Sequence, residues 1–234
     1  MSAESIEMPT SSRTPEAEGL EVLVLGSFNP AIFHPEWFLR QKLIQDEDAS
    51  QAKVIAVGSE VSEVHFCGLR LLCLRDRFAL GTSNISQAAR MQDLLALIFT
   101  LLSHIPVTAC GIDPWAHYQL GSVDYWHKIG HTLAPKELIW NELLERPGMQ
   151  SLTIKAQRGG DFPGEINVTV EPSARYMPGI FVLANYHYSL PKETVHAEGS
   201  ERLLKFLRAE WNPACEMVRR VADKIFNKIK PDNA

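Results

Sequence analysis

Two long stretches of the chain place apolar residues at helical spacing. The first follows Ser86, a residue type that caps helices, and its apolar residues fall at positions i, i+3, i+4, i+7 and i+11: Met91, Leu94, Leu95, Ile98 and Leu102. The second covers residues 200–230, where a comparable apolar stripe alternates with lysines and arginines, and Asn212-Pro213 predicts a kink. Each stretch therefore predicts a helix that buries one face against a sheet.

Shorter apolar runs, rich in β-branched and aromatic residues, predict strands. In the order of the chain they cover residues 20–25, 53–66 with a break at 58–59, 69–74, 77–81, 107–112, 151–157, 165–170 and 180–188. Turn residues such as Gly68 separate neighbouring runs, which favours antiparallel pairing. A short helical region is predicted after the first strand and another after residue 123, where one helix opens at Pro135.

The predicted elements follow the order β-α-β-β-β-α twice, over residues 20–105 and 106–230. In each half an apolar strand leads into an Asx-Pro dipeptide, at Asn29-Pro30 and at Asp113-Pro114. We therefore predict an α+β fold that arose by duplication, with one extended antiparallel sheet and two long helices on a single face. Chance repetition of common α+β elements is the alternative explanation.

The first 19 residues differ in composition from the rest of the chain. They are rich in Ser, Thr, Pro and Glu, which predicts a disordered tail, residues 1–19, before a single domain, residues 20–230. This tail lacks the pattern of a secretory signal, and the longest apolar run, residues 94–102, is far shorter than the ~20 residues that span a bilayer. The sequence therefore predicts a cytoplasmic protein without a membrane segment.

Charge and cysteine spacing narrow the function classes further. A net charge of -5 disfavours broad phosphate binding, although Arg219, Arg220 and Lys224 could form a local basic surface for DNA or RNA. A charged, solvent-exposed helix face is the favoured explanation of the same residues. The chain contains no Walker A, Gly-x-Gly-x-x-Gly or Gly-x-Ser-x-Gly motif, and its widely spaced cysteines predict reduced core residues: Cys67, Cys73, Cys110 and Cys215.

The densest group of chemically versatile side chains lies between residues 113 and 131. If residues 125–131 are helical, His127 and His131 share one face and could bind a metal. A zinc protease would place a glutamate beside the first histidine, but Lys128 occupies that position and Gly130 weakens the helix. Structural or surface histidines are the alternative, and we predict neither a resident metal nor a cofactor.

Asn29 and Asp113 each follow an apolar strand and precede a proline. Their side chains can close Asx turns, which explains their presence without any function. If the duplication is real, the two residues also line one site across a pseudo-twofold axis. The candidate binding residues are therefore Asn29, Asp113, Trp115, His117, His127 and His131.

Three consecutive segments carry a family resemblance. Residues 62–66 (Ser-Glu-Val-His-Phe), residues 75–78 (Arg-Asp-Arg-Phe) and, after a helix, residues 106–113 (Pro-Val-Thr-Ala-Cys-Gly-Ile-Asp) resemble a sporadically distributed family of uncharacterised bacterial proteins over about residues 53–120. The resemblance implies a bacterial, cytosolic origin and no particular chemistry. In outline alone, the predicted fold also resembles the saddle of TATA-binding-protein-like folds and the platform of histocompatibility-like folds.

The leading hypothesis is a non-enzymatic binding or assembly protein, as a monomer or a homo-oligomer. It would hold a protein or peptide partner on its sheet or in the groove between the helices, because a sheet with one uncovered face must be polar, paired or occupied by a ligand. One alternative is a metal-dependent hydrolase built on Asp113, His117, His127 and His131. The other is nucleic-acid binding through the C-terminal helix.

Overall fold

The structure is a computed structural model that describes residues 13–190 and 199–231. In this part of the chain nine strands form one antiparallel sheet: β1 (Ala17–Gly26), β2 (Lys53–Val57), β3 (Val61–Phe66), β4 (Leu69–Leu74), β5 (Arg77–Thr82), β6 (Val107–Gln119), β7 (Leu152–Arg158), β8 (Gly164–Pro172) and β9 (Gly179–Ser189). Their order across the sheet is β2-β3-β4-β5-β1-β6-β9-β8-β7. The protein therefore has an α+β fold, as the sequence predicts.

Six α-helices connect or cover these strands within the described residues: α1 (Pro35–Arg40), α2 (Asp46–Ser50), α3 (Ala88–Leu101), α4 (Val123–Leu133), α5 (Trp140–Leu143) and α6 (Gly199–Lys228). Two short 3-10 helices, Pro30–Ile32 and Ile85–Gln87, precede α1 and α3. Over the same residues, none of the helices combines the length and the apolar character that crossing a bilayer requires.

The core lies between the sheet and the long helices. Alternate residues of β1, among them Val22, belong to one hydrophobic cluster with residues of α3 and α6. Leu95, Ile98 and Leu207 are buried in this cluster, as the helical spacing predicts. The side-chain amide of Gln92 in α3 donates a hydrogen bond of 3.3 Å to the Leu207 carbonyl in α6, so the two helices are in direct contact.

The first half of the chain contains one strand more than predicted. The run of residues 53–66 breaks at 58–60 into the separate strands β2 and β3, at the position where Gly58-Ser59 indicates a break. From β1 to α3 the observed order of strands and α-helices is therefore β-α-α-β-β-β-β-α. The predicted β-α-β-β-β-α order is wrong for this half. The extra strand β2 lies at the edge of the sheet.

The two Asx-Pro dipeptides have different structures. Asn29 closes the predicted turn, because its Oδ1 accepts a hydrogen bond from the Ala31 amide at 3.3 Å. The turn predicted at Asp113 is wrong, since β6 continues through Pro114 and pairs there with Leu20 of β1. A residue before proline favours extended backbone, which suits a strand as well as a turn.

Some helix boundaries also differ from the predictions. The cap before α3 is Asn84, whose Oδ1 accepts from the Ser86 amide at 3.1 Å, and Ser86 itself is not the cap. Pro135 opens no helix, because α5 begins only at Trp140. The secondary structure of α6 continues through Pro213 without a break at the predicted kink.

The predicted tail ends at residue 19, but the first strand begins before that residue. Strand β1 already begins at Ala17, and Gly19 pairs with Trp115 of β6. Glu18 forms an ion pair of 2.6 Å with Arg219 of α6, which ties the start of β1 to the C-terminal helix. Residues 1–12 of the predicted tail lie outside the described residues.

Candidate functional site

The two faces of the sheet carry different residues. In the central parts of β1 and β6, even-numbered residues such as Val22 and Ile112 belong to the hydrophobic core. Odd-numbered residues of these strands, such as Glu21 and Asp113, lie on the opposite face, because successive side chains of a strand point to opposite sides. We call this second face the outer face.

A row of polar residues and one glycine crosses the outer face from edge to edge. From β2 to β7 its members are Lys53, His65, Arg70, Gly81, Glu21, Asp113, Asn185, Asn167 and Lys155. Neighbours are in direct cross-strand register, except that Asn185 is joined to Asp113 by a side-chain hydrogen bond of 2.6 Å. We call this set the transverse row; core packing does not explain it, because its side chains point away from the core.

Asp113 has the most unusual carboxyl group of the transverse row. Burial raises its pKa to about 6, with an opposing effect from the Asn185 hydrogen bond and a further increase from the negative charge of Glu21. Asn185 also accepts a hydrogen bond of 3.4 Å from the Asn167 amide. A Cβ at Gly111 would come within 3.3 Å of Asp113 Oδ1, so glycine at this position leaves room for the pair. Because its pKa is about 6, the Asp113 carboxyl group can exchange a proton near neutral pH.

Trp115 lies two residues after Asp113 and so shares the outer face with it. Its indole ring covers Gly19 of the neighbouring strand, where any Cβ would collide with the ring and with the Thr82 carbonyl. The Arg175 guanidinium lies over the same indole, with its Cζ 5.0 Å from the ring centroid. Together they form an aromatic surface with a positive charge over its ring.

His117 follows on the same face and is held in a defined orientation. Its Nδ1 lies 2.9 Å from Ser173 Oγ, and this oxygen also accepts hydrogen bonds from the backbone amides of Arg175 and Tyr176. The Ser173 hydroxyl is therefore left to donate its proton to Nδ1, which places the imidazole proton on Nε2. Burial and then the positive charge of Arg175 lower the pKa of His117, so the ring is neutral at pH 7.

A groove of about 980 Å³ lies over the β2 side of the transverse row. Residues of β1, β3, β4 and β5 form its floor, and its walls include Asp48, Arg90, Trp115 and Arg175. The Arg90 guanidinium donates to Asp48 at 2.6 Å, which fixes one wall. The groove has charges of both signs and the volume of a typical ligand site.

Cysteine chemistry does not favour this groove as a catalytic centre. Cys67 lines it, but burial, reinforced by the hydrogen bond to Asp48, raises the pKa of its thiol to about 12. Burial also raises the pKa values of the remaining thiols, to about 12 for Cys73, to about 11 for Cys215 and well above the ordinary value for Cys110. All four are free thiols in the structure, and none ionises readily at neutral pH.

The other predicted site residues do not join this surface. Asn29 lies beyond the end of β1, where it is exposed and caps a 3-10 helix. His127 and His131 lie on α4 with their ring centroids 6.4 Å apart. Ile129 between them belongs to the core, which places α4 on the side opposite to the outer face.

The group predicted for a metal-dependent hydrolase is therefore divided. Asp113 and His117 lie on the outer face, whereas His127 and His131 lie on the helix across the sheet. Over residues 13–190 and 199–231, no group of three or more His, Cys, Asp or Glu side chains is arranged to hold a metal ion.

Several members of the transverse row were not candidates in the sequence. Glu21, Arg70 and Asn185 are single polar residues within apolar strands, and alternation of polar and apolar residues alone indicates no more than a sheet face. Their alignment at the centre of the sheet depends on pairing between residues that are distant in the chain, Glu21 with Gly81 and Glu21 with Asp113. Local sequence carries little information about such a register.

Comparison with known proteins adds no relative. The chain matches no protein-family model and no curated protein. The candidate site is therefore defined by the geometry of this chain alone.

Proposed function

We propose that the protein is a non-enzymatic binding protein that holds an extended segment of a partner protein across the outer face of its sheet. The observation that carries the proposal is the transverse row, because it aligns hydrogen-bonding groups over the full width of the sheet. Cross-strand pairing aligns any such row, and this one is distinguished because eight of its nine members are polar or charged. The proposal retains the expectation of a cytoplasmic bacterial protein.

The arrangement of the helices supports an uncovered outer face. Helices α3 and α6 contact each other through Gln92 and Leu207, and both contribute to one hydrophobic cluster with the sheet. We infer that both pack on a single face, in outline like the saddle and platform folds that the predicted architecture resembles. Within residues 13–190 and 199–231, the outer face is then left without a layer of long helices and is available to a partner.

Duplication remains part of the proposal. Strands β1 and β6 pair antiparallel at the centre, β2–β5 lie on one side, and β7–β9 lie on the other. An axis between β1 and β6 would relate the two sides, with α3 and α6 each following the last strand of its half. Asn29 and Asp113 do not correspond under this axis, because Asn29 lies beyond the end of β1 and Asp113 lies within β6.

The charges of the transverse row indicate the chemistry of the partner segment. Glu21 and Asp113 are adjacent at the centre. Toward the edges, Arg70 already pairs with Glu63 at 2.8 Å and Lys155 with Glu165 at 2.6 Å. A segment with a basic or hydrogen-bond-donating group over the centre complements this pattern. Trp115 offers the kind of aromatic anchor that dominates many protein interfaces.

The other hypotheses receive less support. The four residues of the predicted hydrolase site lie on two sides of the sheet, and metal analysis of the purified protein would test that hypothesis directly. Of the three basic residues predicted to contact nucleic acid, Arg219 is engaged by both carboxylate oxygens of Glu18, at 2.6 and 3.2 Å. Arg220 and Lys224 remain exposed, and Lys228 lies one turn further along the same helix face.

The proposal is tested by selecting peptides from a display library on the full-length protein. Selected peptides should bind at least tenfold more weakly to Arg70→Gln and to Trp115→Ala, since each variant removes a contact group of the outer face. A matched control is Arg208→Gln, which removes an exposed arginine of α6, away from the transverse row, and should leave affinity unchanged.

The opposite pattern would refute the proposal. Peptides that bind both outer-face variants as tightly as the unmodified protein must occupy another surface. If the partner segment belongs to a second copy of this chain, sedimentation velocity should show a dimer that Trp115→Ala dissociates.

A further inference from the structure

A separate cavity of about 290 Å³ lies beside α4, on the side of the sheet opposite to the outer face. Its apolar lining includes Ile129 of α4, Ile180 of β9 and Met149 of the loop before β7. His127, His131, Lys136, Asn141 and Arg146 provide its polar lining. The cavity therefore combines an apolar interior with a polar mouth, as small-molecule sites usually do.

Among the described residues, the ionisable side chains that line this cavity are basic. His127, His131 and Arg146 are exposed at its mouth, whereas Lys136 is 3% exposed. Over residues 13–190 and 199–231, no aspartate or glutamate belongs to the lining. This charge distribution favours a negatively charged occupant and opposes a metal ion, because neighbouring ammonium and guanidinium groups repel cations.

Lys136 has a particular role in this arrangement. Its ammonium group donates to the carbonyls of Gly130, at 3.0 Å, and Ala134, which lie at the C-terminal end of α4. A helix C-terminus carries partial negative charge and would repel an anion placed nearby. Lys136 neutralises this end of the helix, so the cavity keeps a positive character.

The loop that carries Arg146 has an unusual backbone. Arg146 has a φ of 51°, in the left-handed region that residues other than glycine rarely adopt, and Pro147-Gly148 follows it. Such backbone conformations persist only where the surroundings enforce them, and they cluster at ligand-binding sites. Arg146 lines the cavity together with the two histidines of α4.

We infer that this cavity binds a small organic anion, with its apolar body against Ile129, Met149 and Ile180 and its negative group at His127, His131 and Arg146. The volume accommodates roughly ten water-sized atoms, which is the size of a single ring with one anionic substituent. A carboxylate or a phosphate would satisfy the basic groups through charge-assisted hydrogen bonds. The histidines at i, i+4 thus serve as anion-binding groups and not as metal ligands.

The inference is tested by NMR titration of the full-length protein with two probes of the same shape, benzoate and benzamide. Benzoate should bind about tenfold more tightly than neutral benzamide, with shifts at the cavity residues, because only benzoate carries the charge. Titration with phenyl phosphate identifies the preferred anionic group. If benzoate binds more tightly than phenyl phosphate, the cavity prefers a carboxylate; if phenyl phosphate binds more tightly, it prefers a phosphate. Inorganic phosphate should bind more weakly than either, because it lacks an apolar body.

Two variants assign the anion-binding groups. Arg146→Gln and the double variant His127→Gln/His131→Gln should each weaken benzoate binding at least fivefold and leave benzamide binding unchanged. The matched control Arg40→Gln removes an exposed arginine of α1 and should change neither affinity. Thermal denaturation confirms that each variant is folded.

Three results would overturn the inference. They are equal affinities for benzoate and benzamide, benzoate binding that both cavity variants leave unaltered, and the absence of benzoate-induced shifts at the cavity. None of them depends on the outer face, so the inference and the proposed function can fail independently.

Discussion

Replacing Asp113 by asparagine should stabilise the folded protein at about pH 8 and have little effect at about pH 4. The reason is that burial makes the charged form of Asp113 costly, while the Asn185 hydrogen bond compensates only in part. Asparagine never ionises, yet its Oδ1 can still accept the hydrogen bond from Asn185. The substitution therefore removes the cost of the charge and keeps the local geometry.

The magnitude follows from the raised pKa. The Asp113 carboxyl has a pKa of about 6 in the folded protein and an ordinary value of 3.8. Between these values the folded state holds a proton that the unfolded state has lost, so stability decreases as the pH rises through this range. Since one pKa unit corresponds to about 1.4 kcal/mol, the full cost above the folded-state pKa is about 3 kcal/mol.

Urea denaturation at the two pH values measures this effect. The difference in unfolding free energy between Asp113→Asn and the unmodified protein should increase by about 2 to 3 kcal/mol from pH 4 to pH 8. Asp161→Asn is the matched control, because Asp161 is exposed, and it should change stability by less than about 0.5 kcal/mol at either pH.

A constant difference between variant and unmodified protein at the two pH values would refute the reasoning. It would mean that water reaches the Asp113 carboxylate as freely in the folded state as in the unfolded state. The central part of the transverse row would then be hydrated, and its hydrogen-bonded side chains would not form a preorganised surface for a partner.

Leu95→Ala should lower the unfolding free energy by about 2 to 5 kcal/mol, because Leu95 is fully buried. The control Leu97→Ala changes a side chain on the same helix that is 49% exposed, and it should lower the unfolding free energy by only about 0.5 kcal/mol. Urea denaturation measures both, and equal costs would mean that the helix faces are wrongly assigned. Gly19→Ala should destabilise the protein by about 1 to 3 kcal/mol because its Cβ meets the neighbouring indole, while Gly159→Ala, with open space around it, serves as the control in thermal denaturation. Burial raises the pKa of the Cys110 thiol. This residue should therefore react with a thiol reagent at pH 8 only after the protein unfolds. Mass spectrometry of the labelled protein checks this, and labelling of Cys110 in the folded protein would contradict it.

Local patterns in the chain predict most of the secondary structure. The runs at residues 69–74 and 77–81 coincide with β4 and β5, and the stripe at residues 91–102 lies on α3. These elements follow from periodic burial of apolar side chains, a property that neighbouring residues share. Local patterns predict helix caps and turns less accurately. The sequence predicts Ser86 as the cap of the helix, but Asn84 caps the 3-10 helix that precedes α3.

Asp113 illustrates where local reasoning fails. The dipeptide Asp113-Pro114 is compatible with a turn and also with extended backbone, and nothing in its neighbourhood distinguishes the two. In the structure, β1 pairs with this segment on one side and β9 lies on the other, so the strand continues to Gln119. Pairing with residues about 70 to 90 positions away in the chain therefore keeps this segment extended.

By itself, the sequence determined the α+β class, the approximate strands and the apolar faces of the long helices, because these depend on the spacing of side chains along one segment. Only the tertiary structure decided that Glu21, Asp113 and Asn185 lie side by side, and that His127 and His131 lie across the sheet from them. The physical reason is that strand order and register result from pairing and burial among distant segments. A row of single polar residues on several strands becomes a surface only once that register is formed.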